Sequence, residues 1–472
     1  MKKITISLLA LLCTAMFGYS AARPVKNASP NMVVIFADDM GYGDMSGNGH
    51  PTIRTPNLDR MAAEGQKWTS FYAAAPVCTP SRTALITGRL PIRSGMCSDN
   101  HRVLFPDSTG GLPASETTLP EMLKSRGYAT GMVGKWHLGH LPEFLPINNG
   151  FDSWFGIPYS NDMDADSEKV RIADNGAEHA WHEGRHWDEP RSEYWNVPLM
   201  DGETILRRAP NQEQLTKVYT EKSVAFIRAN KQKPFFLYLA HSMPHVPLFR
   251  SDAFKDVSTA GRYGDVIEEL DWSVGQIMQT LRDEGLAQKT LVVFTSDNGP
   301  WLLFKTQGGI AGPLRGGKGS TWDGGMREPG LFWWPGTIRP GIVHGLGSTL
   351  DLLATAASLS GATLPDTQLD SYDLSSVLLN GAPSPRQEMI YYRGEEIFAV
   401  RLGSFKAHFK TQSGYGDDLE EHNPPLLYNL DLDPGENYNV ADAHPDVLQR
   451  IGQLRDKHQA SVTVVENQLE KR

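Results

Sequence analysis

At 472 residues the chain is too long for one simple core, so a large domain and a smaller one are expected. Its composition is that of an ordinary globular protein, with 45 glycines and 31 prolines that imply many loops. A formal net charge of −10 makes it a poor non-specific binder of nucleic acid, so a polyanionic ligand would have to be held by locally placed cations.

The chain opens with the pattern of a secretory leader: Lys2 and Lys3, an apolar run over residues 4–17, and the small residues Ser20, Ala21 and Ala22 as a cleavage site. Residues 1–22 are read as a signal peptide, which sends the mature protein to a periplasm or out of the cell. A lipid anchor at Cys13 fits less well, because Leu12 precedes it. The apolar run is too short to span a membrane comfortably, and no later stretch is a candidate. Loss of the leader removes two lysines and no acids, leaving a net charge of about −12. Two cysteines then remain, Cys78 and Cys97. In an oxidising compartment they could pair, although spacing alone establishes no bridge.

Residues 31–37, NMVVIFA, form a continuous apolar run between turn signals, the pattern of a buried parallel strand. Asp38 and Asp39 follow, then the glycine-rich Met40-Gly41-Tyr42-Gly43-Asp44. Adjacent carboxylates at a strand end repel unless a cation lies between them, and ligands of open α/β sheets gather at that end. A solvated turn is the plainer alternative. A helix is expected over 56–65, with Pro56 at its start and Gly65 at its stop. The stretch CTPSRTALITGR, residues 78–89, starts another, with Pro80 in its first position and Gly88 at its stop. Cys78 and Arg82, four apart, would share a face beside N–H groups and a dipole that favour an anion. By itself the stretch also fits a buried cysteine next to an ordinary helix.

Residues 119–127 suggest a helix, and 128–139, YATGMVGKWHLG, a strand leading to a loop. Lys135 and His137 would face one side of an extended chain. Residues 160–215 are polar, rich in Trp, His and charge, and without clear periodicity; such irregular insertions carry specificity. Their histidines, His179, His182 and His186, fit solvated loop positions, then sugar contacts, and least readily a metal cluster. A helix is expected over 213–230 and a core strand over 234–240, PFFLYLA, followed by His241 and His245 in HSMPHVP. Val266, Leu270, Val274, Ile277 and Leu281 repeat at helix period over 262–284, and Gly285 ends that run.

A third buried strand over 290–295, TLVVFT, ends in Ser296-Asp297-Asn298-Gly299. Two apolar strands far apart in sequence thus both end in hard oxygen donors, which Ca²⁺ or Mg²⁺ prefers and Zn²⁺ does not. The glycine-rich loop 308–325 carries Arg315 and Lys318 but lacks the strand–GxxxxGK[ST]–helix order of a phosphate loop. A strand over 331–334 and a helix over 350–359 follow. Composition shifts near 382, at GAPSPRQ. Beyond it, 389–392, 398–402 and 406–411 read as short strands, 427–440 as a strand and turn, and Val447, Leu448, Ile451 and Leu454 mark a last helix. The expected division is 23–381 for the main domain and 382–472 for a C-terminal α+β subdomain.

Cys-x-Pro-Ser-Arg followed by Leu-x-Thr-Gly-Arg, with Ile86 where the usual residue is Leu, resembles the signature of type I sulfatases. GKWHLG, GKGSTWDGGMREP, RLPIRSG, YYRG, KAHF and LYNLDLDPGENYNV extend the resemblance along nearly the whole mature chain, nearest to the arylsulfatase A and N-acetylgalactosamine-6-sulfatase branches. It implies the alkaline-phosphatase-like α/β fold, a mostly parallel central sheet with helices on both faces, plus a small C-terminal α+β domain. It also implies hydrolysis of a sulfate monoester on a carbohydrate, with galactose or N-acetylgalactosamine 3- or 6-sulfate as the expected sugar.

In that family the signature cysteine, here Cys78, is oxidised by a maturation enzyme to formylglycine, whose hydrate is the nucleophile. Carried over by motif, Asp38, Asp39, Asp297, Asn298 and the modified Cys78 would hold Ca²⁺, with Mg²⁺ as the alternative. Arg82 would help lower the cost of ionising the hydrate. Lys135, His245 and Lys318 would meet the sulfate oxygens. His245 would protonate the leaving oxygen, and His137 would take the remaining proton. His241, Arg315, His179 and His182 are weaker substrate-binding candidates. The implied partners are a sulfated glycan and the maturation enzyme, with no nucleic acid and no membrane span. Two other readings stand beside this one. A phosphonate or phosphate ester hydrolase of the same superfamily would share a Cys-x-Pro-x-Arg site. A non-catalytic glycan-binding derivative would have lost catalytic positions, and every matched one is present.

Overall fold

The computed structural model describes residues 29–472; the leader read over 1–22, Cys13 included, lies outside them. In chain order the strands of the larger sheet are β1 (Asn31–Ala37), β2 (Gln66–Tyr72), β3 (Ala129–Gly134), β4 (Ser153–Gly156), β5 (Pro198–Asp201), β6 (Thr204–Arg208), β7 (Phe235–Ala240), β8 (Thr290–Ser296), β9 (Arg327–Trp333), β10 (Gly341–Val343) and β11 (Gly347–Ser348). They lie in the order β10-β2-β9-β8-β1-β7-β3-β4-β5-β6, with β11 also beside β2. The run β8-β1-β7-β3-β4 is parallel throughout. β9 runs antiparallel to both β8 and β2, and the β5–β6 hairpin continues the sheet antiparallel from β4.

All seven residues of β1 are buried, because helices cover both faces of the sheet. Alternation sends Val33, Ile35 and Ala37 to one face, in a core shared with helices Leu215–Ala229 and Gly261–Asp283. Met32, Val34 and Phe36 point to the other, in a core shared with helices Cys78–Thr87, Leu119–Lys124 and Asp351–Ser360. The parallel central strands share one direction, so their C-terminal ends form one edge. Asp38, Lys135, the loop holding His241 and His245, and Asp297 all leave the sheet there.

Several expectations needed correction. The signature helix starts at Cys78, so Pro80 is its third residue rather than its first, where its missing N–H still costs no helical bond. Gly88 does cap that helix, in the left-handed region with φ 66°. The 119–127 helix stops at Lys124. Residues 160–215 are less irregular than their composition suggests: they hold helices Ser167–Ala173 and Arg185–Asp188 and the β5–β6 hairpin. β6 is exposed at every residue, so no buried face imprinted an apolar alternation on it. Cys78 and Cys97 are both free and buried, and the pairing considered for them is not formed.

A second sheet, antiparallel, holds β12 (Glu388–Arg393), β13 (Glu396–Leu402), β14 (Phe405–Thr411) and β15 (Glu420–Asn429) in sequence order. With helix Pro445–Ala460 it forms a core that also takes in Ala84 of the signature helix and Leu90 beyond it. A buried polar network makes the second tie. Lys406 Nζ sits 2.9 Å from Asp323 Oδ1 and 3.1 Å from Glu436 Oε1, and His408 Nε2 lies 2.7 Å from the same Glu436 oxygen. Tyr72 Oη donates to Asp323 Oδ2 at 2.8 Å and receives Arg401 in turn. Burial acts against an ionised Asp323, but Lys406, Arg327 and Arg401 outweigh it and hold the carboxyl below its usual range. The network thus ties the C-terminal sheet to the glycine-rich loop that carries Lys318.

Lys406→Ala removes the cation from two buried carboxylates. It is expected to cost about 3–5 kcal/mol of unfolding free energy, since a buried charge left without its partner is strongly destabilising. Urea unfolding followed by tryptophan fluorescence measures this; a change under 1 kcal/mol would show that the network contributes little.

Candidate active site

Helix Cys78–Thr87 is buried at every residue and points its first turn at the edge where β1 and β8 end. Cys78 Sγ lies 3.6 Å from Asp38 Oδ1 and 3.6 Å from Lys318 Nζ. Burial pushes its thiol well above the ordinary range despite Lys135 and Lys318, so an unmodified Cys78 is a neutral thiol and a weak nucleophile. One turn on, Arg82 places Nε and Nη2 on Asp297 Oδ2 at 3.0 and 2.8 Å, with Nη2 3.3 Å from Asp38 Oδ1. Its Nη1 donates to the Lys135 carbonyl at 2.9 Å. The four-residue spacing therefore does put thiol and guanidinium on one face, and Arg82 fastens the helix to two strand ends.

Lys135 Nζ lies 2.7 Å from Asp38 Oδ2, and Lys318 Nζ donates to Asp39 Oδ2 at 2.8 Å. Burial opposes the Asp38 charge, but Lys135 and Arg82 overcome it and hold that carboxyl well below its usual range. Asp39 behaves differently. Burial raises it to about 7, and crowding by Asp38 and Asp297 adds to the rise while Lys318 opposes it. Asp297 is raised by burial and by Asp38. Three carboxylates held this close repel one another, and a cation among them would relieve that repulsion. Ligand atoms of Asp38, Asp39, Asp297 and Cys78 all lie within 4.8 Å of one another. Asn298 donates through Nδ2 to Asp39 Oδ1 at 2.8 Å, and its Oδ1 is buried with no partner. A buried, oxygen-rich cluster with an orphaned amide oxygen beside it fits a hard divalent cation.

The two histidines on this edge have defined ring nitrogens. His245 Nδ1 shares a short hydrogen bond with the Val246 carbonyl, which fixes the proton there and turns Nε2 toward Ser160 Oγ at 3.2 Å and Asp39 Oδ2 at 3.7 Å. His137, with φ 64°, is in the loop beyond β3 rather than on the strand; its Nε2 donates to the Leu104 carbonyl at 2.9 Å, and its Nδ1 is buried and unpartnered. Burial first, then neighbouring lysine charge (Lys318 for His245, Lys135 for His137), holds both rings well below the usual histidine range, so both are neutral without an anion present.

The weaker candidates fall elsewhere. His241 is a core histidine, hydrogen-bonded through Nε2 to Ser273 at 3.1 Å, packed near Tyr219, and pushed down to about 3 by burial. Arg315 donates to the Glu436 carbonyl at 3.0 Å and stacks 3.7 Å over Trp322, helping to dock the C-terminal sheet. His179 and His182 line a separate surface cavity beside Trp187 and Lys305. His186 pairs with Asp174 at 2.6 Å. Among the described residues these three histidines form no metal-binding group.

Three residues at the site carried no sequence signal. Ser160 Oγ stands between Lys135 Nζ and His245 Nε2, 3.2 Å from each. Trp301, three residues after Asn298, lies 4.1 Å from Lys318 Nζ and 5.2 Å from the His245 ring. Tyr415, in a loop between β14 and β15, packs against Trp301 with the ring centres 5.8 Å apart and the planes tilted by 55°. Proximity to the Asp297-Asn298 strand end was the only hint for Trp301, and Ser160 and Tyr415 offered none.

Comparison with known proteins is consistent along the whole described chain. The sulfatase family model matches residues 30–362, and a model of the C-terminal region of aryl-sulfatase matches 384–472. The chain is 44% identical to arylsulfatase A of Homo sapiens, over 94% of this chain and 90% of that protein. It is 40% identical to N-acetylgalactosamine-6-sulfatase of Mus musculus, over 98% of this chain and 91% of that protein. Among solved structures it is similar to the PsFucS1 sulfatase from Pseudoalteromonas sp., with a TM-score of 0.82, 28% identity, and coverage of 93% of this chain and 92% of that one.

Chelator-treated protein should gain thermal stability when calcium is restored. A cation bound only by the folded state adds about 2.7 kcal/mol at a hundred times its dissociation constant. Asp297→Asn, which keeps the shape of the side chain, should reduce or abolish that gain. Differential scanning calorimetry with and without chelator checks this, and an equal calcium shift in the variant would remove Asp297 from the ligand set.

Proposed function

This chain belongs to the sulfatase family and is a sulfuric ester hydrolase, and from that premise we propose that its substrate is a sulfate monoester of a carbohydrate, galactose or N-acetylgalactosamine 3- or 6-sulfate. The observation that carries the reading is the charge pattern at the sheet edge. Asp38, Asp39 and Asp297 oppose Arg82, Lys135 and Lys318 one for one. A divalent cation added to that balance leaves two positive charges, matched by one sulfate monoester and one ionised nucleophile. The galactose configuration is supported by the 40% identity to an N-acetylgalactosamine-6-sulfatase. Among the described residues no helix is long and apolar enough to cross a membrane, and the leader read over 1–22 supports a periplasmic or secreted enzyme.

Asp38, Asp39, Asp297 and Asn298 would hold Ca²⁺, or Mg²⁺, together with position 78. When present, the cation would supply Lewis acidity, and formylglycine made from Cys78 by a maturation enzyme would supply a hydrated aldehyde as nucleophile. Arg82 holds position 78 against the strand ends. Lys135 and Lys318, fixed on Asp38 and Asp39, stabilise charge on the sulfate oxygens as it grows in the transition state. Ser160 steers both Lys135 and His245. His245 presents Nε2 to the same space. An arriving sulfate favours its protonated form, which can then donate to the leaving sugar oxygen. His137 offers a bare Nδ1 and takes a proton from the side of position 78. Its carbonyl accepts from Thr79 Oγ1 at 3.0 Å, which keeps the ring beside the signature helix.

The direct test compares turnover of matched sulfate and phosphate esters, and of a panel of sulfated monosaccharides, with peptide mass analysis of position 78. Sulfate preference, action on galactose-configured sugars and an aldehyde at 78 are expected. Full activity from protein carrying only a thiol there would overturn the mechanism, and exclusive action on glucosamine sulfates would overturn the sugar.

His245→Ala should cost about 10²–10⁴ in kcat on a sugar sulfate, whose alkoxide needs a proton to leave, and far less on nitrophenyl sulfate. Equal losses on the two substrates would make His245 a sulfate-binding group instead of the acid.

A further inference from the structure

A cavity of about 280 Å³ lies against Gly319, the residue after Lys318. Its walls come from the start of the signature helix, from β12 and β13, and from the loop between β14 and β15. Two guanidinium groups line it, Arg102 and Arg393. Arg102 stacks 3.9 Å over the Tyr415 ring. Arg393 is anchored through Nε to the Gly319 carbonyl at 2.7 Å, next to Lys318, and its Nη2 forms no hydrogen bond. Among the described residues neither arginine is in a salt bridge. Two acids also line it: Asp99 accepts from the Glu395 amide at 2.8 Å, and Glu396 pairs with Lys410 at 2.8 Å. Burial and then the charge of Arg102 act against the Arg393 guanidinium, and the carboxylates of Asp99 and Asp417 offset them only in part, so a further anion is favoured there.

The cavity is joined to the reaction site by a short series of contacts. Lys318 touches Trp301, Trp301 packs against the tilted ring of Tyr415, and Tyr415 carries Arg102. The Tyr415 ring is also the nearest group to Gly319, 3.1 Å from where its Cβ would stand. An extended anionic ligand with one charged group at Lys318 can therefore place a neighbouring group across two aromatic rings, surfaces that suit a sugar ring, and reach the arginines.

We propose that the Arg102–Arg393 cavity is a second anion subsite, taking a carboxylate or a further sulfate on the sugar next to the one that is desulfated. The proposal rests on the reading of the protein as a carbohydrate sulfatase. Planar guanidinium groups suit either oxyanion, because both present paired oxygens to the fork.

The test uses the full-length matured enzyme and four substrates: nitrophenyl sulfate, and three disaccharides that carry one sulfate on a galactose-configured sugar and whose second residue is neutral, a uronate or itself sulfated. The parent enzyme should prefer one or both doubly anionic disaccharides in kcat/KM, and the preferred one identifies the anion. Arg102→Gln and Arg393→Gln should each reduce that preference by about tenfold or more, the loss expected for a charged hydrogen bond. The loss should lie mainly in KM, with a smaller effect of added salt on the remaining activity. Arg102→Lys and Arg393→Lys should recover part of it, which a purely structural role would not predict. Turnover of nitrophenyl sulfate without any preference among the disaccharides would overturn the subsite alone, as would variants that lose equally on all four substrates. No turnover of any sulfate would overturn the carbohydrate sulfatase reading and the subsite with it.

Discussion

Everything at the C-terminal edge of the parallel strands answers to one constraint, the crowding of the buried carboxylates of Asp38, Asp39 and Asp297. The parallel sheet creates the problem by ending β1 and β8 side by side, in register from Asn31 with Thr290 to Ala37 with Ser296. Each counter-charge then arrives from a different part of the chain: Arg82 from the signature helix, Lys135 from the end of β3, Lys318 from the glycine-rich loop. None of the three comes from β1 or β8. The fold is in this sense a scaffold for bringing cations to an acidic edge, and the repulsion that remains among the carboxylates is what a metal ion would relieve.

The C-terminal sheet belongs to the same arrangement although it contributes no residue to the charge cluster. Lys318 is held in place by a loop with six glycines among residues 308–319, which leaves it little side-chain packing of its own. Asp323 at its far end is gripped by Lys406 and Tyr72, and the Asp323 amide donates to Glu436 Oε2 at 2.7 Å. The KAHF stretch and the glutamate of the DPGEN turn therefore do structural work on a catalytic loop from outside the main sheet. Their charges are buried and mutually satisfied, so the loop gains a fixed position without a large apolar surface.

Much of this was legible in the sequence because burial leaves a period. β1, β7 and β8 are continuous apolar runs, and the Gly261–Asp283 helix shows its stripe of Val266, Leu270, Val274, Ile277 and Leu281. Both strand ends with hard oxygen donors could be read directly. What could not be read depends on tertiary closure. Ser160 sits in a polar insertion that gives no hint of which oxygen faces Lys135. His241 and His245 look alike in HSMPHVP, and only the packing of Ser273 and Tyr219 places the first in the core. Arg315 and Lys318 share one loop, yet one stacks on Trp322 and the other reaches Asp39. Tyr415 and the two arginines behind it come together from three separate segments.

The burial of the signature helix has a consequence for the order of events in the life of the chain. Cys78 is 2% exposed, with Thr79, Ser81, Arg82 and Thr83 at or below 1% around it. A second enzyme that must grip this segment to oxidise the thiol finds almost nothing to hold once the helix has docked under the C-terminal sheet. If Cys78 is converted, conversion belongs to the interval before docking, while the segment is still extended. Folding and maturation then compete in time: a chain that folds early keeps its thiol permanently, and two molecules with one sequence can differ in whether they ever become competent.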